Sequence, residues 1–412
     1  MATHRQHAAL EADLPPGAAP CCSSGHGELA GASRRRFLGA SAAAAAVGGL
    51  GAVLGGCASA EAGPGNKGAA VTTSAVSAGA AGNGDRLVLL GTAGGPPPEV
   101  DRTGIASALV IGDRVYLVDC GRSAVTQYGR SGLKYKNLKS VFITHLHADH
   151  IADYHNFLLL AGFGVNDSDD GITGTVDVYG PGPAGALPPK FKGGKAPTVA
   201  PDDPTPGLKV LTDKQIEAFA YSTNVFLRDS GIPDVRDLVR VHEIDLPDVG
   251  ADPLKKTAPD MKPFEVMDDG TVRVTAILVP HGPVFPSFAY RFDTPAGSVV
   301  FSGDTSLTDN MVRLARGADV LVHEVIDLDA YRDFGIPTAL LDHLKVSHTD
   351  VKDIGPLAER CGVETLVLSH IVPADKKIVS ADSWRRRAQK GFSGRVVVGD
   401  DLDEVPLGRA HR

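Results

Sequence analysis

Residues 144–150 carry the side chains best suited to chemistry. Directly after the apolar run Val141-Phe142-Ile143 come His145, His147, Asp149 and His150. Imidazole nitrogens combined with one carboxylate suit zinc better than calcium or magnesium. At a turn from a strand into a helix, residues two apart can face one metal ion while the next pair faces a second. The spacing therefore predicts two adjacent metal ions, and the alternative is a polar surface loop.

This segment resembles the HxHxDH motif of the metallo-β-lactamase superfamily, whose members share an αββα sandwich. The resemblance extends over nearly all of residues 86–406, apart from 181–262. It implies a further histidine, an aspartate and a last histidine, each ending a strand. His281 in Val279-Pro280-His281-Gly282, Asp304 in Ser302-Gly303-Asp304-Thr305 and His370 in Leu368-Ser369-His370-Ile371 supply them. We therefore expect an α/β fold, the αββα metallo-β-lactamase sandwich, as a single catalytic domain with an insertion.

The resemblance also implies a set of metal ligands and a nucleophile. Carried over position by position, it assigns one zinc ion to His145, His147 and His281, and a second to Asp149, His150 and His370, with Asp304 bridging. Two zinc ions about 3.5–4 Å apart lower the pKa of a shared water molecule to about 7, which implies a metal-bridged hydroxide as the nucleophile. Asp149 is expected to orient it.

Among members of the superfamily, the order and type of these residues are most similar to the ribonuclease Z branch. Three further segments match that branch: Val322-His323-Glu324, Ser347-His348-Thr349 and Ser287-Phe288-Ala289-Tyr290-Arg291. The match implies that His348 is a catalytic acid or stabiliser supported by Glu324. We place His323 behind the metal ligands. Alternatively, His348 simply precedes Thr349, whose hydroxyl could cap a helix starting at Asp350.

One part of the bacterial ribonuclease Z pattern is missing, namely a long basic arm that binds tRNA between the equivalents of His281 and Asp304. Only 22 residues separate these two positions here. The net charge of −8 also argues against general nucleic-acid binding, which depends on Lys and Arg displacing counterions. Lys190, Lys192 and Lys195 form a small basic stretch, either a solvated loop or a substrate clamp. We therefore do not expect tRNA maturation.

The composition and the motifs together predict an enzyme. Because 43% of the residues are hydrophobic and 22% are charged, the chain is not a disordered polymer. We expect a binuclear zinc hydrolase, most simply a phosphodiesterase acting on a small-molecule ester. Arylsulfatase, lactonase and β-lactamase activities stay open because the HxHxDH motif does not separate them. A proton donor such as His348 favours an ester, with its oxyanion leaving group, over an amide. A non-enzymatic lipoprotein that binds metal or solute is a further alternative.

The elements that must position these residues can be predicted from local patterns. Short β-branched runs predict strands over 87–90, 107–111, 115–118, 140–144, 176–179, 272–279, 287–292, 298–301, 320–323 and 365–369. Helical periodicity appears over 152–160, 309–316, 350–360 and 381–390. Residues 181–262 interrupt this alternation with a Pro- and Gly-rich stretch, a helix predicted over 213–228 and a short helix near 234–239. We interpret them as an insertion that covers one face of a sheet.

The N-terminal 57 residues have the order of an export signal. Ser33-Arg34-Arg35-Arg36-Phe37-Leu38 precedes an Ala- and Gly-rich apolar stretch that ends in Leu54-Gly55-Gly56-Cys57. The arginines resemble a twin-arginine signal, and the ending resembles a lipobox that would make Cys57 a lipidated membrane tether. An uncleaved transmembrane helix and a low-complexity tail are the alternatives. Residues 58–84 predict a flexible linker, so we expect the folded domain over 85–412, acting outside the cytoplasm.

Overall fold

A computed structural model of the chain describes residues 84–161, 170–172, 174–191 and 193–408. The predicted export signal, Cys57 and all of the predicted linker except Gly84 lie outside the described residues, as does Lys192. Within these ranges, no helix is both long enough and apolar enough to cross a bilayer.

Strands from the first half of the described chain, with one from its end, form the first sheet. In chain order they are β1 (Arg86–Gly91), β2 (Ala106–Ile111), β3 (Arg114–Val118), β4 (Leu138–Phe142), β5 (Val176–Gly180), β6 (Val239–Glu243) and, from the C-terminal end, β14 (Glu404–Pro406). Their order across the sheet is β14-β1-β2-β3-β4-β5-β6. Pairing is antiparallel from β14 to β3 and parallel from β3 to β6.

The second sheet repeats this division into an antiparallel and a parallel part. Its strands are β7 (Phe264–Asp268), β8 (Arg273–Leu278), β9 (Phe288–Thr294), β10 (Gly297–Phe301), β11 (Val320–Ile326), β12 (Thr365–Val372) and β13 (Arg395–Val398). They lie in the order β13-β12-β11-β10-β9-β8-β7, antiparallel from β7 to β10 and parallel from β10 to β13.

Helices follow the strands in both halves. The first half contains α1 (Ala124–Arg130), α2 (Ala148–Ile151), α3 (Tyr154–Ala161), α4 (Leu208–Ala218) and α5 (Ala220–Asp229). The second contains α6 (Asp309–Ala315), α7 (Leu328–Asp333), α8 (Thr338–Ser347), α9 (Val351–Cys361) and α10 (Ala381–Ala388).

Alternation along the strands explains how these layers pack. In β1, Leu87 and Leu89 point into the core between the two sheets, whereas Val88 and Leu90 join a second core under the helices of the first half. Successive strand side chains point to opposite faces, so a strand buried on both faces is apolar throughout. The predicted αββα sandwich is confirmed.

Contacts between the sheets position the start of the 144–150 loop. The ring of Phe142 in β4 lies 5.0 Å from that of Phe292 in β9. The hydroxyl of Tyr290 donates a hydrogen bond to the carbonyl of Ile143 (2.8 Å), and the amide of Phe288 donates to the carbonyl of Thr144 (3.0 Å). The second sheet therefore holds the strand end from which the histidine loop leaves.

The segment 181–262 differs in part from its predicted secondary structure. The helix predicted over 213–228 is two helices, α4 and α5, which meet at Phe219. The short helix predicted near 234–239 is wrong. Residues 235–237 form a turn held by Asp234, and the β-branched residues Val239 and Val241 pair with β5 as the edge strand β6.

Candidate metal centre

The loop after β4 is shaped by an aspartate at the end of β3. Asp119 accepts hydrogen bonds from the backbone amide and the hydroxyl of Thr144 and lies 2.8 Å from Nδ1 of His150. Because β3 and β4 are parallel neighbours, their carboxyl ends lie at one edge of the sheet. Asp119 therefore ties both ends of the 144–150 loop to that edge.

The structure brings all seven predicted metal-binding side chains together. His145, His147, His281 and Asp304 form one group, Asp149, His150 and His370 a second, and Asp304, His348 and His370 a third. Within each group the possible ligand atoms lie within 4.8 Å of one another. The groups overlap at Asp304 and His370, so they form one continuous cluster.

Asp304 lies at the centre of this cluster. Its Oδ2 is 3.3 Å from Nε2 of His370, 3.7 Å from Nε2 of His281 and 3.9 Å from Nε2 of His145. Its Oδ1 is 3.4 Å from Nε2 of His150. One carboxylate thus faces histidines of both predicted ligand sets.

The donor atoms of the cluster fit metal ions. Nε2 of His145, Nε2 of His150, Oδ1 of Asp149 and Oδ1 of Asp304 are buried without a hydrogen-bond partner among the described residues. Buried polar atoms are almost always paired, so four such atoms in one cluster indicate a missing partner. Two ligands about 2.0–2.2 Å from a tetrahedral ion are roughly 3.3–3.6 Å apart, close to the separations around Asp304.

Electrostatics favour neutral ligands on one side of the cluster. Burial lowers the pKa of His145 and His147, and lowers that of His281 to about 3. A neutral imidazole keeps the lone pair that a metal ion needs. Burial also acts to lower the pKa of His150, but Asp304 and Asp119 outweigh it and hold that pKa well above its usual range. The carboxylates therefore favour a cation here, a role that a bound metal ion can fill.

Two groups behind the cluster orient its histidines. Nδ1 of His281 lies 2.8 Å from the carbonyl oxygen of Ser347, and a carbonyl can only accept, so Nδ1 donates and Nε2 points to Asp304. Asp119 does the same for His150. Such partners fix the tautomer and direction of a ligating imidazole. From the sequence, Asp119 is recognisable only as a polar residue at a strand end, where open sheets carry their sites, and the Ser347 carbonyl has no signal at all.

His348 lies beside Asp304 and Glu324. Its Nδ1 is 3.3 Å from Oε1 of Glu324 and 4.0 Å from Oδ2 of Asp304. The same Glu324 oxygen accepts hydrogen bonds from the amides of Thr305 and Thr349. Burial lowers the pKa of His348, but the negative charges of Glu324 and Asp304 outweigh it and raise the pKa to about 9.

Thr349 does not cap the helix that follows it. Its hydroxyl donates to the carbonyl oxygen of Thr305 (2.7 Å), while the carboxylate of Asp350 caps α9 by accepting from the amide of Lys352. The alternative reading of Thr349 is therefore wrong, because a nearer acceptor takes its hydroxyl and the next residue supplies the cap.

His323 lies behind the cluster, between the two sheets. Its Nδ1 is 2.7 Å from the carbonyl oxygen of Glu324, while its Nε2 and the hydroxyl of Ser369 are buried without a partner among the described residues. Both side chains line a cavity of about 30 Å³ that also reaches Asp304 and His370. That volume has room for about one or two water molecules.

The Gly-rich turn after β1 packs against the cluster. The amide of Gly95 donates to Oδ2 of Asp149 (3.2 Å), and a Cβ at this position would come within 2.8 Å of the Asp149 side chain. A Cβ at Gly94 would meet the ring of His370 at 2.8 Å. Glycine is thus required by close approach, and the turn touches the site directly.

Comparison with known proteins agrees with this geometry. The family described as "Beta-lactamase superfamily domain" matches residues 208–371, and the family described as "Anti-Pycsar protein Apyc1" matches residues 89–167. A ribonuclease Z of Mycobacterium bovis is 32% identical over 321 residues, which cover 78% of this chain and 98% of the relative. A ribonuclease Z of Mycobacterium marinum is 31% identical over 323 residues, with the same coverage.

Among solved structures, human tRNase Z, short form, has the same fold. It aligns with a TM-score of 0.52 and 20% identity, covering 79% of this chain and 100% of the human one. The described strands, the histidine and aspartate cluster and these relatives lead to one assignment. This chain belongs to the metallo-β-lactamase superfamily and is a homologue of the ribonuclease Z proteins.

Proposed function

We propose that this protein is a binuclear zinc-dependent hydrolase, a phosphodiesterase that cleaves a small-molecule ester. One observation carries the proposal. Seven histidine and aspartate side chains, with Asp304 at their centre, form one cluster, and several of their buried ligand atoms have no partner among the described residues. The homology to ribonuclease Z proteins supports a metal-dependent hydrolase in general, and the phosphodiester is the more specific part of the proposal.

The residues of the cluster divide between two ions in this proposal. His145, His147 and His281 would hold one zinc ion, Asp149, His150 and His370 would hold the other, and Asp304 would serve both sets. Zinc ions bound there would activate a water molecule for attack and stabilise the negative charge that develops on the phosphoryl group. Asp149 is held in place by the amide of Gly95 and orients the attacking water.

His348 supplies the proton for the leaving oxygen. Its raised pKa keeps the ring protonated at neutral pH, and its Nδ1 faces Glu324. Nε2 is therefore the nitrogen that donates to the leaving group, as a general acid. Glu324, fixed by the amides of Thr305 and Thr349, positions His348 and stabilises its charged form.

A small substrate outside the cytoplasmic membrane is the second part of the proposal. Strands β9 and β10 and the turn between them occupy most of the chain between His281 and Asp304, the interval in which the bacterial ribonuclease Z enzymes carry their basic arm. The net charge of −8 disfavours general nucleic-acid binding. The predicted twin-arginine signal and Cys57 tether support an extracytoplasmic location, where precursor tRNA is absent.

Turnover on two chromogenic esters tests this function. The zinc-loaded full chain should cleave bis(p-nitrophenyl) phosphate, and His348→Ala should lower that rate while zinc content is retained. His242→Ala is the matched control, because this histidine pairs with Asp177 away from the cluster. Cleavage of p-nitrophenyl sulfate alone would instead indicate an arylsulfatase. No cleavage of either ester would contradict the proposal.

A further inference from the structure

A cavity of about 240 Å³ opens directly beside Asp149. Its walls are the turn after β1 and helix α2 with the residue that follows it, and they include Gly95, Pro96, Pro97, Pro98, Ala148 and Ala152. Because Asp149 belongs both to this cavity and to the candidate metal centre, a substrate bound at that centre has this space next to its reacting group.

The walls are mostly apolar and carry little bulk. Proline rings and alanine methyl groups supply carbon surface, and Gly95 leaves the backbone close to Asp149. Such surface favours an uncharged stem of a few carbon atoms, because apolar groups gain free energy on leaving water. The cavity therefore suits a part of the substrate that does not react.

Arg122 brings a positive charge into this cavity. Its Nη2 donates to the carbonyl oxygens of Glu99 and Arg102, both at 2.8 Å, which fixes the direction of the guanidinium. Within the described part of the chain, no carboxylate forms an ion pair with Arg122 within 4.0 Å. Glu99 also lines the cavity, but it contacts Arg122 through its carbonyl oxygen. A partly buried guanidinium with donors to spare is therefore ready to bind an anion.

We propose that this cavity binds the non-reacting arm of the ester substrate and that Arg122 pairs with an anionic group on that arm. This inference rests on the proposed hydrolase function and narrows its substrate class to diesters that carry a second negative charge. A carboxylate and a phosphate can each accept two hydrogen bonds from one guanidinium group. The proposal therefore specifies an anionic oxygen group and leaves the choice between these two to the experiment.

Matched diesters with one leaving group test the subsite. The zinc-loaded full chain is given propyl p-nitrophenyl phosphate, its 2-carboxyethyl analogue and its 2-phosphonooxyethyl analogue, and kcat/KM is measured for each. A charge-assisted hydrogen bond from Arg122 should raise kcat/KM for an anionic analogue about tenfold or more above that for the propyl diester. The analogue with the larger advantage identifies the anion, carboxylate or phosphate.

Arginine variants test whether Arg122 causes the preference for an anionic substrate. Arg122→Gln should reduce the ratio of anionic to propyl kcat/KM to about one, whereas Arg130→Gln, at the exposed end of α1, should keep it. Arg122 also holds two carbonyl groups, so thermal melting is measured for each variant. If Arg122→Gln does not fold, Arg122→Lys should retain part of the preference because it keeps the charge without the fork.

The outcomes distinguish the two proposals. Equal kcat/KM for the three diesters in the wild type, or an unchanged ratio in Arg122→Gln, would overturn the subsite and leave the hydrolase assignment standing. No cleavage of any diester by the zinc-loaded chain would overturn the proposed function, and the subsite with it.

Discussion

The two halves of the sandwich contribute to the candidate metal centre in different ways. The first half supplies four side chains from one loop, 144–150, whereas the second supplies His281, Asp304 and His370 from three separate strand ends. The first set is close together because of local spacing. The second set comes together only because β8, β10 and β12 run in the same direction and bring their carboxyl ends to one edge of the sheet. Asp304 is the residue at which the two contributions meet.

Both halves nevertheless hold one residue of the centre in a strained conformation. Asp119 has φ 59° and His370 has φ 43°, the left-handed region that non-glycine residues rarely adopt. Such residues cost about 1–3 kcal/mol each and persist where the surroundings determine them fully. Backbone strain at the centre therefore occurs in both halves, although only the 144–150 loop stands out as a contiguous motif.

The largest effect is expected at the meeting point of the two halves. Asp304→Ala removes a carboxylate that faces His150, His281 and His370, so zinc content and turnover should fall together. The loss should exceed about 100-fold, the upper value for residues that only support a ligand. Zinc content measured by mass spectrometry and turnover measured in the diesterase assay, on the same sample, check this prediction. A variant with two zinc equivalents and a normal rate would exclude the bridging role.

A narrower effect, on turnover but not on zinc content, is expected for the proton donor of the second half. His348→Ala should lower kcat by about 10²–10⁴-fold while zinc content is unchanged, because general acid catalysis typically contributes that much. Turnover and zinc content are measured on the same sample. Full activity in this variant would show that the leaving group departs without help from His348.

Support from the first half is expected to matter less than a direct ligand. Asp119→Asn weakens the hold on His150. The ion that we propose for Asp149, His150 and His370 should therefore be lost first, with about a 10–100-fold loss of zinc affinity or activity. Isothermal titration calorimetry with zinc measures the affinity of each variant. Asp177→Asn, which changes a histidine partner far from the cluster, is the control and should bind zinc normally. If both variants bound zinc equally, Asp119 would have no supporting role.

The smallest effect concerns the charge that Glu324 places beside His348. Glu324→Gln can keep an acceptor for the Thr305 and Thr349 amides but removes the negative charge that raises the pKa of His348 to about 9. The protonated form of His348 is lost as pH rises through that pKa, so the wild-type rate should fall at or below about pH 9. In the variant this fall should begin about one pH unit lower. An unchanged pH profile would contradict the pairing.

Much of this arrangement could be predicted from local sequence. The apolar run of β1 is nearly continuous because both faces of the sheet are covered, and the histidine spacing in 144–150 is visible in seven residues. The roles of His281, Asp304 and His370 depended on the resemblance to a known family, because nothing local joins them. The structure brings them to the same place.

The remaining features depend on contacts that a linear pattern does not contain. Asp119 supports His150 only because β3 and β4 are neighbours, and Ser347 acts through its backbone carbonyl, which has no side-chain signal. The helix predicted near 234–239 does not form because the β-branched residues at its end pair with β5 as strand β6. Tertiary pairing overrides a weak local preference in such short segments.

Zinc stoichiometry tests the central claim, that the two halves together hold two metal ions, most directly. Native mass spectrometry of the full chain during zinc titration should show saturation at two ions per chain, and diesterase activity should disappear on chelation and return as both ions rebind. Saturation at one ion, no zinc binding, or turnover that persists without metal would contradict the account.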